Sequence, residues 1–478
     1  MSESIRCLPC SRRLAKSPVP LTDADFEQWR MSEAAPECNT SCPHCLGTLE
    51  YGKPIADSIA ATFSAGGYTD IFNCPLSIQL PALLVLANAI ENVLFEGRIE
   101  VREILRNFIY RCVSECLDES KPKLYLDVNF HLLPTPMSRE VVSAVNARIR
   151  KSDKSPYKKY KDGISVNISD IQLLVESWKA DIGTIHSALF PNDIGSDKTI
   201  ESMKHDMEKK FFASHHSFFA TCTSTLKRET IYISGKYVKR TREFGQSAWD
   251  ANTSSVAETV CPYVCALFNS PVEKCLFSAS GREDMDVRML SSGRPFVLQL
   301  SDAKNLRPIL EKNALASVSI DTGDVIVAKG LAWADKGVMD WLHWSTEQHV
   351  KIYKCVVWSE QIFPSQDEIT SILGKEKDIK ILQKTPLRVL HRRTEHTREK
   401  YIHSIQLERL NAHFAMVTLH ASAGAYIKEF IHGDFGRTRP AFCDILFKKP
   451  VQCDILQLDV MEVIQDEDED YVPLRDRN

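Results

Sequence analysis

Two pairs of closely spaced cysteines constrain the fold of the N-terminal region more tightly than any other feature of the sequence. Cys7 and Cys10 form one C-x-x-C turn, and Cys42 and Cys45 form the other. A C-x-x-C turn directs two sulfur atoms at one point, and two such turns supply the four ligands of a closed tetrahedral zinc site. The spacing therefore predicts a structural Zn²⁺ site, with a short helix over Asp23–Arg30 between the turns.

Cysteine usage in the rest of the chain favours metal binding over disulfide formation. The chain has 15 cysteines, an odd number, and most are scattered singly. Its first residues lack the apolar core of a signal peptide, and no apolar run reaches the length of a membrane span. We therefore expect a reduced, intracellular protein without a membrane partner, resident in the nucleus, the cytoplasm or both.

The length and the periodicity of the chain predict an α+β protein of more than one domain. With 478 residues, of which 44% are apolar, the chain can bury sizeable cores. The pattern over Pro81–Phe95 predicts a buried helix, whereas Leu124–Phe130 alternates as a half-buried strand. The second half is richer in strands. We place a first domain at 1–225, a second at 226–464 and a solvated acidic tail at 465–478.

A strongly charged turn stands out in the second half of the chain. It spans Ser280–Arg288, between the apolar runs Cys275–Ala279 and Pro295–Leu300, which are typical of strands. Gly281 can supply the positive φ that a strand-ending turn needs. Taken alone, such a mixture of Asp, Glu and Arg is typical of a solvated loop whose ion pairs contribute little.

Three motifs, in order along the second half, resemble the signature of the tRNA pseudouridine synthases called the Pus Ten family. They are Ala279–Leu290 with Gly293–Phe296, Gln383–Val389 with His391–Arg393, and Gly424–Phe430 with His432–Thr438. The two C-x-x-C pairs resemble the zinc site at the N-terminus of that family. The sequence departs from the family at Ser291, where a glycine is usual.

The resemblance implies a pseudouridine synthase catalytic domain, built as a mixed or antiparallel sheet with flanking helices. It also implies an N-terminal α+β accessory domain that is THUMP-like, contains zinc and binds RNA. The expected activity is the isomerisation of uridine 54, uridine 55 or both in the T-arm of tRNA, without a catalytic cofactor. We expect a monomer, whose net charge of -4 means that RNA affinity must come from local basic surface.

The same resemblance implies roles for individual residues. Asp284 is the catalytic carboxylate, which either adds to C1′ of the ribose or assists loss of the C2′ proton. Lys428 is the cation that keeps it ionised, and Tyr353 stacks on the uracil. We predict that Ser422 caps the short helix carrying Lys428 and that Gly433 ends it. The expected contacts to RNA come from Arg282, Arg388, Arg392, Arg393 and Tyr426.

Two other functions compete with this interpretation. Clustered carboxylates can hold Mg²⁺, so the chain could be a metal-dependent nuclease that uses Glu283, Asp284 and Asp286 as ligands. It could also be a non-catalytic, zinc-containing protein that binds RNA. Without the resemblance, Tyr353 would be an ordinary strand aromatic and Lys428 a cation on a helix surface.

Overall fold

The computed structural model of this chain folds into two compact units, unit 1 at residues 1–228 and unit 2 at residues 229–478. The predicted acidic tail 465–478 and Arg392 lie outside the part of the chain that the structure describes. The described residues are 7–15, 18–33, 42, 44–71, 73–95, 97–113, 121–132, 183, 186–187, 199–207, 220–247, 254–327, 330–391 and 393–464.

Unit 1 combines helices with a small sheet. Its helices within the described residues are α1 (Leu8–Arg13), α2 (Asp23–Arg30), α3 (Lys53–Gly66), α4 (Ala82–Leu94), α5 (Val101–Cys112) and α6 (Ile200–Asp206). Its strands are β1 (Leu76–Gln79), β2 (Leu124–Leu132) and β3 (Ala220–Arg228). The sheet order is β1-β2-β3, with β1 parallel and β3 antiparallel to β2. The predicted helix and strand of this region are therefore confirmed, with ends shifted by a residue or two.

A capping box explains why α2 has its predicted bounds. The Thr22 hydroxyl accepts a hydrogen bond from Asp25 N at 3.2 Å, and the Asp25 carboxylate accepts one from Thr22 N at 2.9 Å. The buried face of α2 then packs on α5, where the rings of Trp29 and Phe108 lie 4.2 Å apart. Helix α2, which lies between the two C-x-x-C turns in the sequence, is thereby tied to the core of unit 1.

Unit 2 is built on one large sheet with flanking helices. Its strands are β4 (Ile231–Lys239), β5 (Cys275–Ala279), β6 (Val287–Leu300), β7 (Ile320–Asp321), β8 (Val325–Val327), β9 (Ala332–Ala334), β10 (Lys351–Ser359), β11 (Ile379–Lys384), β12 (Thr397–Arg409), β13 (Phe414–Ala421), β14 (Thr438–Arg439) and β15 (Cys453–Val463). Its helices are α7 (Val256–Phe268), α8 (Arg307–Leu310), α9 (Val338–Gln348), α10 (Gln366–Leu373), α11 (Ile427–His432) and α12 (Phe442–Leu446).

The strand order of this sheet is β14-β11-β12-β13-β10-β15-β6-β4-β8-β7, with β5 paired to β6 and β9 paired to β4. All these pairings are antiparallel except β15 with β6. The mixed sheet confirms the predicted α+β class. It also brings β10, β15 and β6 side by side at its centre, although they are far apart in the chain.

The strand after the charged turn, β6, is longer than predicted, because it continues on both sides of a bulge. It begins at Val287 instead of Pro295, and its pairing with β4 is interrupted between Met289 and Arg294. Within the bulge Ser291 has a φ of 53°, a left-handed conformation that costs most residues about 1–2 kcal/mol. Because glycine adopts this conformation readily, the φ at position 291 explains why a glycine is usual at this position.

The helix that carries Lys428 starts later than predicted, so the assignment of Ser422 as its cap is wrong. The helix begins at Ile427, and the Ser422 hydroxyl instead accepts a hydrogen bond from Tyr401 N at 2.9 Å. A turn intervenes, in which Gly424 has a φ of 71°. The predicted end is confirmed, since the residue that follows α11 is a left-handed glycine at position 433.

Candidate active site

A cavity of about 260 Å³ in unit 2 brings most of the predicted site residues together. It lies where the charged turn meets β10, β15 and the start of α11. The predicted residues that line it are Arg282, Asp284, Tyr353, Arg388, Arg393, Tyr426 and Lys428. The three residues with expected catalytic roles therefore share one cavity.

A buried ion pair holds the turn that carries Asp284. The Glu283 side chain is fully buried, lies 2.8 Å from Arg294 Nε and accepts a hydrogen bond from the Tyr237 hydroxyl at 2.8 Å. Arg294 also donates to the carbonyl oxygen of Ser280 at 2.7 Å. Burial and the neighbouring Glu283 raise the pKa of Tyr237 well above its ordinary value, so its hydroxyl remains a donor. The turn is thus tied to β4 and β6.

Two more side chains hold the turn through its backbone oxygens. Gln246 Nε2 donates to the carbonyl of Gly281 at 2.9 Å, and Lys239 Nζ donates to the carbonyls of Asp284 and Met285, each at 3.1 Å. Gly281 has a φ of 81°, which confirms the predicted positive φ. Because these contacts fix the backbone, the Asp284 carboxylate is presented from a rigid support.

Two cations contact the Asp284 carboxylate. Arg388 Nη1 donates to Asp284 Oδ1 at 3.2 Å, and Lys428 Nζ lies 3.4 Å from Oδ2. Arg388 is itself held by Glu429, which accepts from Arg388 Nε at 2.7 Å and has a buried side chain. The Asp284 side chain is 37% exposed, so a ligand in the cavity can reach it. The sequence indicated one cation at this carboxylate, and the structure adds Arg388.

Asp286 is the closer partner of Lys428. Lys428 Nζ lies 2.9 and 2.7 Å from the two carboxylate oxygens of Asp286. Partial burial acts to raise the pKa of Asp286, but the hydrogen bonds and the charge of Lys428 outweigh burial and lower the pKa. Asp286 therefore holds the ammonium group in place beside Asp284, a role that no motif indicated.

Strand β10 directs alternate side chains towards the cavity. Lys351, Tyr353 and Cys355 are buried, whereas Ile352 and Lys354 on the opposite face are more exposed. This confirms the predicted alternation. Burial raises the pKa of Tyr353 to about 12, so the phenol is protonated at neutral pH.

Lys351 is a cavity residue to which the sequence assigned no role. It is 5% exposed and lines the cavity two residues before Tyr353. Burial, together with the positive charges of Arg294 and Lys400, lowers its pKa to about 8. The alternation of β10 predicted that Lys351 shares a face with Tyr353, but it did not show that this face lines a cavity.

Four of the residues expected to contact RNA line the cavity, namely Arg282, Arg388, Arg393 and Tyr426. Arg393 Nη1 donates to the Tyr426 hydroxyl at 3.0 Å, and Arg282 is exposed. The backbone of Tyr426 is held on both sides by the buried Gln383 side chain, through two hydrogen bonds of 2.9 Å. The phenol of Tyr426 and the guanidinium groups of these arginines therefore lie around the cavity. Their contact with RNA stays a prediction.

The geometry contradicts the nuclease hypothesis. The buried carboxylate of Glu283 pairs with Arg294 and Tyr237, while Asp286 pairs with Lys428. Among the described residues, no group of three or more carboxylate or histidine ligands converges there as a metal site would require. The three acids of the turn thus have three different structural roles.

The four predicted zinc ligands converge in unit 1. The sulfur atoms of Cys7, Cys10, Cys42 and Cys45 lie within 4.8 Å of one another, and those of Cys7 and Cys45 are 3.7 Å apart. Tetrahedral zinc with Zn–S bonds of about 2.3 Å separates neighbouring sulfurs by about 3.8 Å. The donor set and its spacing therefore fit a metal ion.

A buried polar network lies beside these sulfurs. Arg13 Nε donates to Cys10 Sγ at 3.3 Å, and the Arg13 guanidinium donates to both oxygens of Glu91 at 2.8 and 2.9 Å. His44 Nδ1 lies 3.1 Å from Glu91, so His44 takes part in this network and lies outside the cysteine group. A guanidinium at this position offsets the negative charge of metal-bound thiolates.

Residues 232–464 match the family model described as "Pus10, C-terminal". Over these residues, which are just under half of the chain, the sequence is similar to the C-terminal part of Pus10 proteins. Over 252 residues it is 35% identical to the mouse protein named tRNA pseudouridine synthase Pus10. The matched residues make up 52% of this chain and 46% of the mouse protein. The chain is 33% identical over 290 residues to the human protein of that name (58% and 53%), and 31% identical over 252 residues to that of Methanopyrus kandleri (49% and 56%).

The match to Pus10 proteins is partial. The chain spans about half the length of the curated relatives it matches. Among solved structures, it is similar to a chain in "Crystal Structure of a Cbf5-Nop10-Gar1 Complex", with 13% identity and a TM-score of 0.27 over 48% of this chain and 49% of that one. No helix in the described part of the chain is long and apolar enough to cross a membrane.

Proposed function

We propose that this chain is a tRNA pseudouridine synthase that isomerises uridine 54, uridine 55 or both in the T-arm. The observation that carries the proposal is the convergence of Asp284, Lys428 and Tyr353 on one cavity within the segment that matches the Pus10 family. The reaction breaks the C1′–N1 bond, turns the uracil and joins C1′ to C5. It needs no redox agent and no net hydrolysis.

The arrangement suits a carboxylate that acts at the ribose. Arg388 and Lys428 contact the carboxylate of Asp284 and position its two oxygens. The carboxylate either adds to C1′ as the uracil leaves, or assists loss of the C2′ proton. In the first case the ester bond to Asp284 breaks again when C5 attacks C1′.

The target base must leave the RNA stack to reach the cavity, at a cost of a few kcal/mol. The ring of Tyr353 offers a stacking surface for the extruded uracil, and its protonated hydroxyl is a donor. Arg282, Arg393 and Tyr426 lie where they can contact the flanking nucleotides. Arg388 combines such a contact with its ion pair to Asp284.

For unit 1 we propose a structural Zn²⁺ held by Cys7, Cys10, Cys42 and Cys45, within a THUMP-like module that binds tRNA. The spacing of the four sulfurs and the Arg13 contact support the metal. The ion would cross-link the two C-x-x-C turns and contribute folding free energy. It would take no part in the isomerisation.

The test is to map pseudouridine in unmodified tRNA after incubation with the purified full-length chain in the presence of a chelator. We expect product at position 54 or 55. Asp284→Asn should abolish product, because the amide has no negative charge, while tRNA affinity changes by no more than about threefold. Asp454→Asn, an exposed acid at the far end of β15, is the matched control and should retain activity. Product from Asp284→Asn would remove the catalytic assignment, and RNA cleaved in a parallel reaction that contains Mg²⁺ and no chelator would favour a nuclease.

A further inference from the structure

Lys351 is a buried cation that has no counterion among the residues described by the structure. It is 5% exposed, and no ion pair or hydrogen bond joins its Nζ to another described residue. The charged groups that affect its pKa, Arg294 on β6 and Lys400 on β12, are both cations. Burying an unpaired ammonium group is unfavourable. A lysine that lies in the cavity despite this cost is a candidate for a group that acts on a bound ligand.

The position of Lys351 limits what that ligand is. A methyl group built on Gly281 would lie 3.9 Å from Lys351 Nζ, so the ammonium lies next to the turn that carries Asp284. Lys351 and Tyr353 are two residues apart on the same face of β10, a separation of about 7 Å, which is close to the width of a pyrimidine nucleobase.

We propose that Lys351 is a further catalytic residue, which donates a hydrogen bond to a carbonyl oxygen of the target uracil and stabilises the uracil anion. This inference rests on the proposed function. When the C1′–N1 bond breaks, both electrons stay on the base, and the negative charge spreads onto its carbonyl oxygens. After C5 bonds to C1′, C5 loses a proton and N1 gains one, so the atoms balance. Lys351 keeps its own proton throughout.

The depth of Lys351 favours a base over a phosphate as its ligand. Arg282 and Arg388 are exposed at the rim, where the RNA backbone would pass, whereas Lys351 is enclosed. A donor that is already in place in a dry site stabilises developing charge more effectively than water does. The same ammonium would stabilise the leaving base whichever route Asp284 takes.

The first experiment compares Lys351→Met with Lys351→Arg and with Lys354→Met, the matched control on the exposed face of the same strand. With enzyme in excess over tRNA, we expect Lys351→Met to lower the single-turnover rate constant about 100-fold, as removal of one such donor does. tRNA affinity and the activity of the control should stay within about threefold. A rate for Lys351→Met within about threefold of wild type would overturn the proposal, and so would an equal loss of tRNA affinity.

The pH profile separates a proton-bearing role from a structural one. The cations that lower the pKa of Lys351 are Arg294 and Lys400, and its pKa of about 8 lies below the value of about 12 for Tyr353 on the same face of β10. Wild-type activity should therefore fall above pH 8. Lys351→Arg should keep its activity to higher pH, because a guanidinium stays protonated. If wild type and Lys351→Arg lost activity over the same alkaline pH range, the proton-bearing role of Lys351 would be contradicted.

A binding experiment tests the site independently of turnover. The probe is 5-nitrouracil, which is anionic at neutral pH because the nitro group acidifies its ring N–H. Calorimetry should show binding to wild type and to Lys354→Met, with affinity about tenfold weaker in Lys351→Met. If wild type makes no pseudouridine but shows this pattern, the proposed function fails and the uracil-anion site stands. Equal affinities, or no binding to wild type, would overturn the site.

Discussion

Replacing Glu283 by glutamine should destabilise unit 2 strongly, because it removes one partner of a buried ion pair. The side chains of Glu283 and Arg294 are 0% and 2% exposed, and they are 2.8 Å apart. Glutamine keeps the size of the side chain but leaves the guanidinium without a counterion. Breaking a buried pair in this way costs about 3–5 kcal/mol. That is a large part of the 5–15 kcal/mol that typically stabilises a protein.

The assay is urea-induced unfolding of the full-length chain. Hydrogen exchange in peptides from β4 and β6 reports unit 2 separately from unit 1. The control is Glu399→Gln, which breaks the exposed ion pair of Glu399 with Lys380 and should cost less than about 1 kcal/mol. The double variant Glu283→Leu with Arg294→Met removes both charges and should recover most of the lost free energy.

Two results would refute the reasoning. A loss of less than about 1 kcal/mol in Glu283→Gln would mean that the ion pair does not hold the turn. A double variant as unstable as the sum of Glu283→Leu and Arg294→Met, each measured alone, would mean that the two charges are not coupled. Glu283→Gln should also lower the rate of the reaction, because Asp284 is displaced, whereas tRNA affinity should be retained.

Three further predictions concern stability and metal content. Ser291→Gly should raise the free energy of unfolding by about 0.5 kcal/mol in urea titrations, since relief of left-handed strain exceeds the added chain entropy. Lys351→Met should raise it by about 3 kcal/mol below pH 8. Because the folded pKa of Lys351, about 8, is below the unfolded value, this gain should vanish as the pH rises past about 10.4. Cys42→Ser should remove about one zinc per chain by elemental analysis and lower the melting temperature, whereas Cys112→Ser should keep the metal.

Local patterns were sufficient for many elements of this chain. The bounds of α2 follow from Thr22 and Asp25, which are three residues apart, and the end of α11 follows from one glycine. The faces of β10 follow from a period of two residues. The two C-x-x-C pairs indicated a metal group because each turn aims its sulfurs at one point, and only the meeting of the two turns needed the fold.

Contacts between distant residues decided the rest. Whether Glu283 is a metal ligand or the partner of Arg294 depends on the pairing of β4, β5 and β6, and Lys428 meets Asp286 across 142 residues of chain. Lys351 appeared on the correct face in the sequence, but its burial and the nearby charges of Arg294 and Lys400 depend on the arrangement of the other strands of the sheet. The free energy of a charged side chain depends on its counterions and its exposure, and these are set by sheet register between strands that no short-range pattern connects.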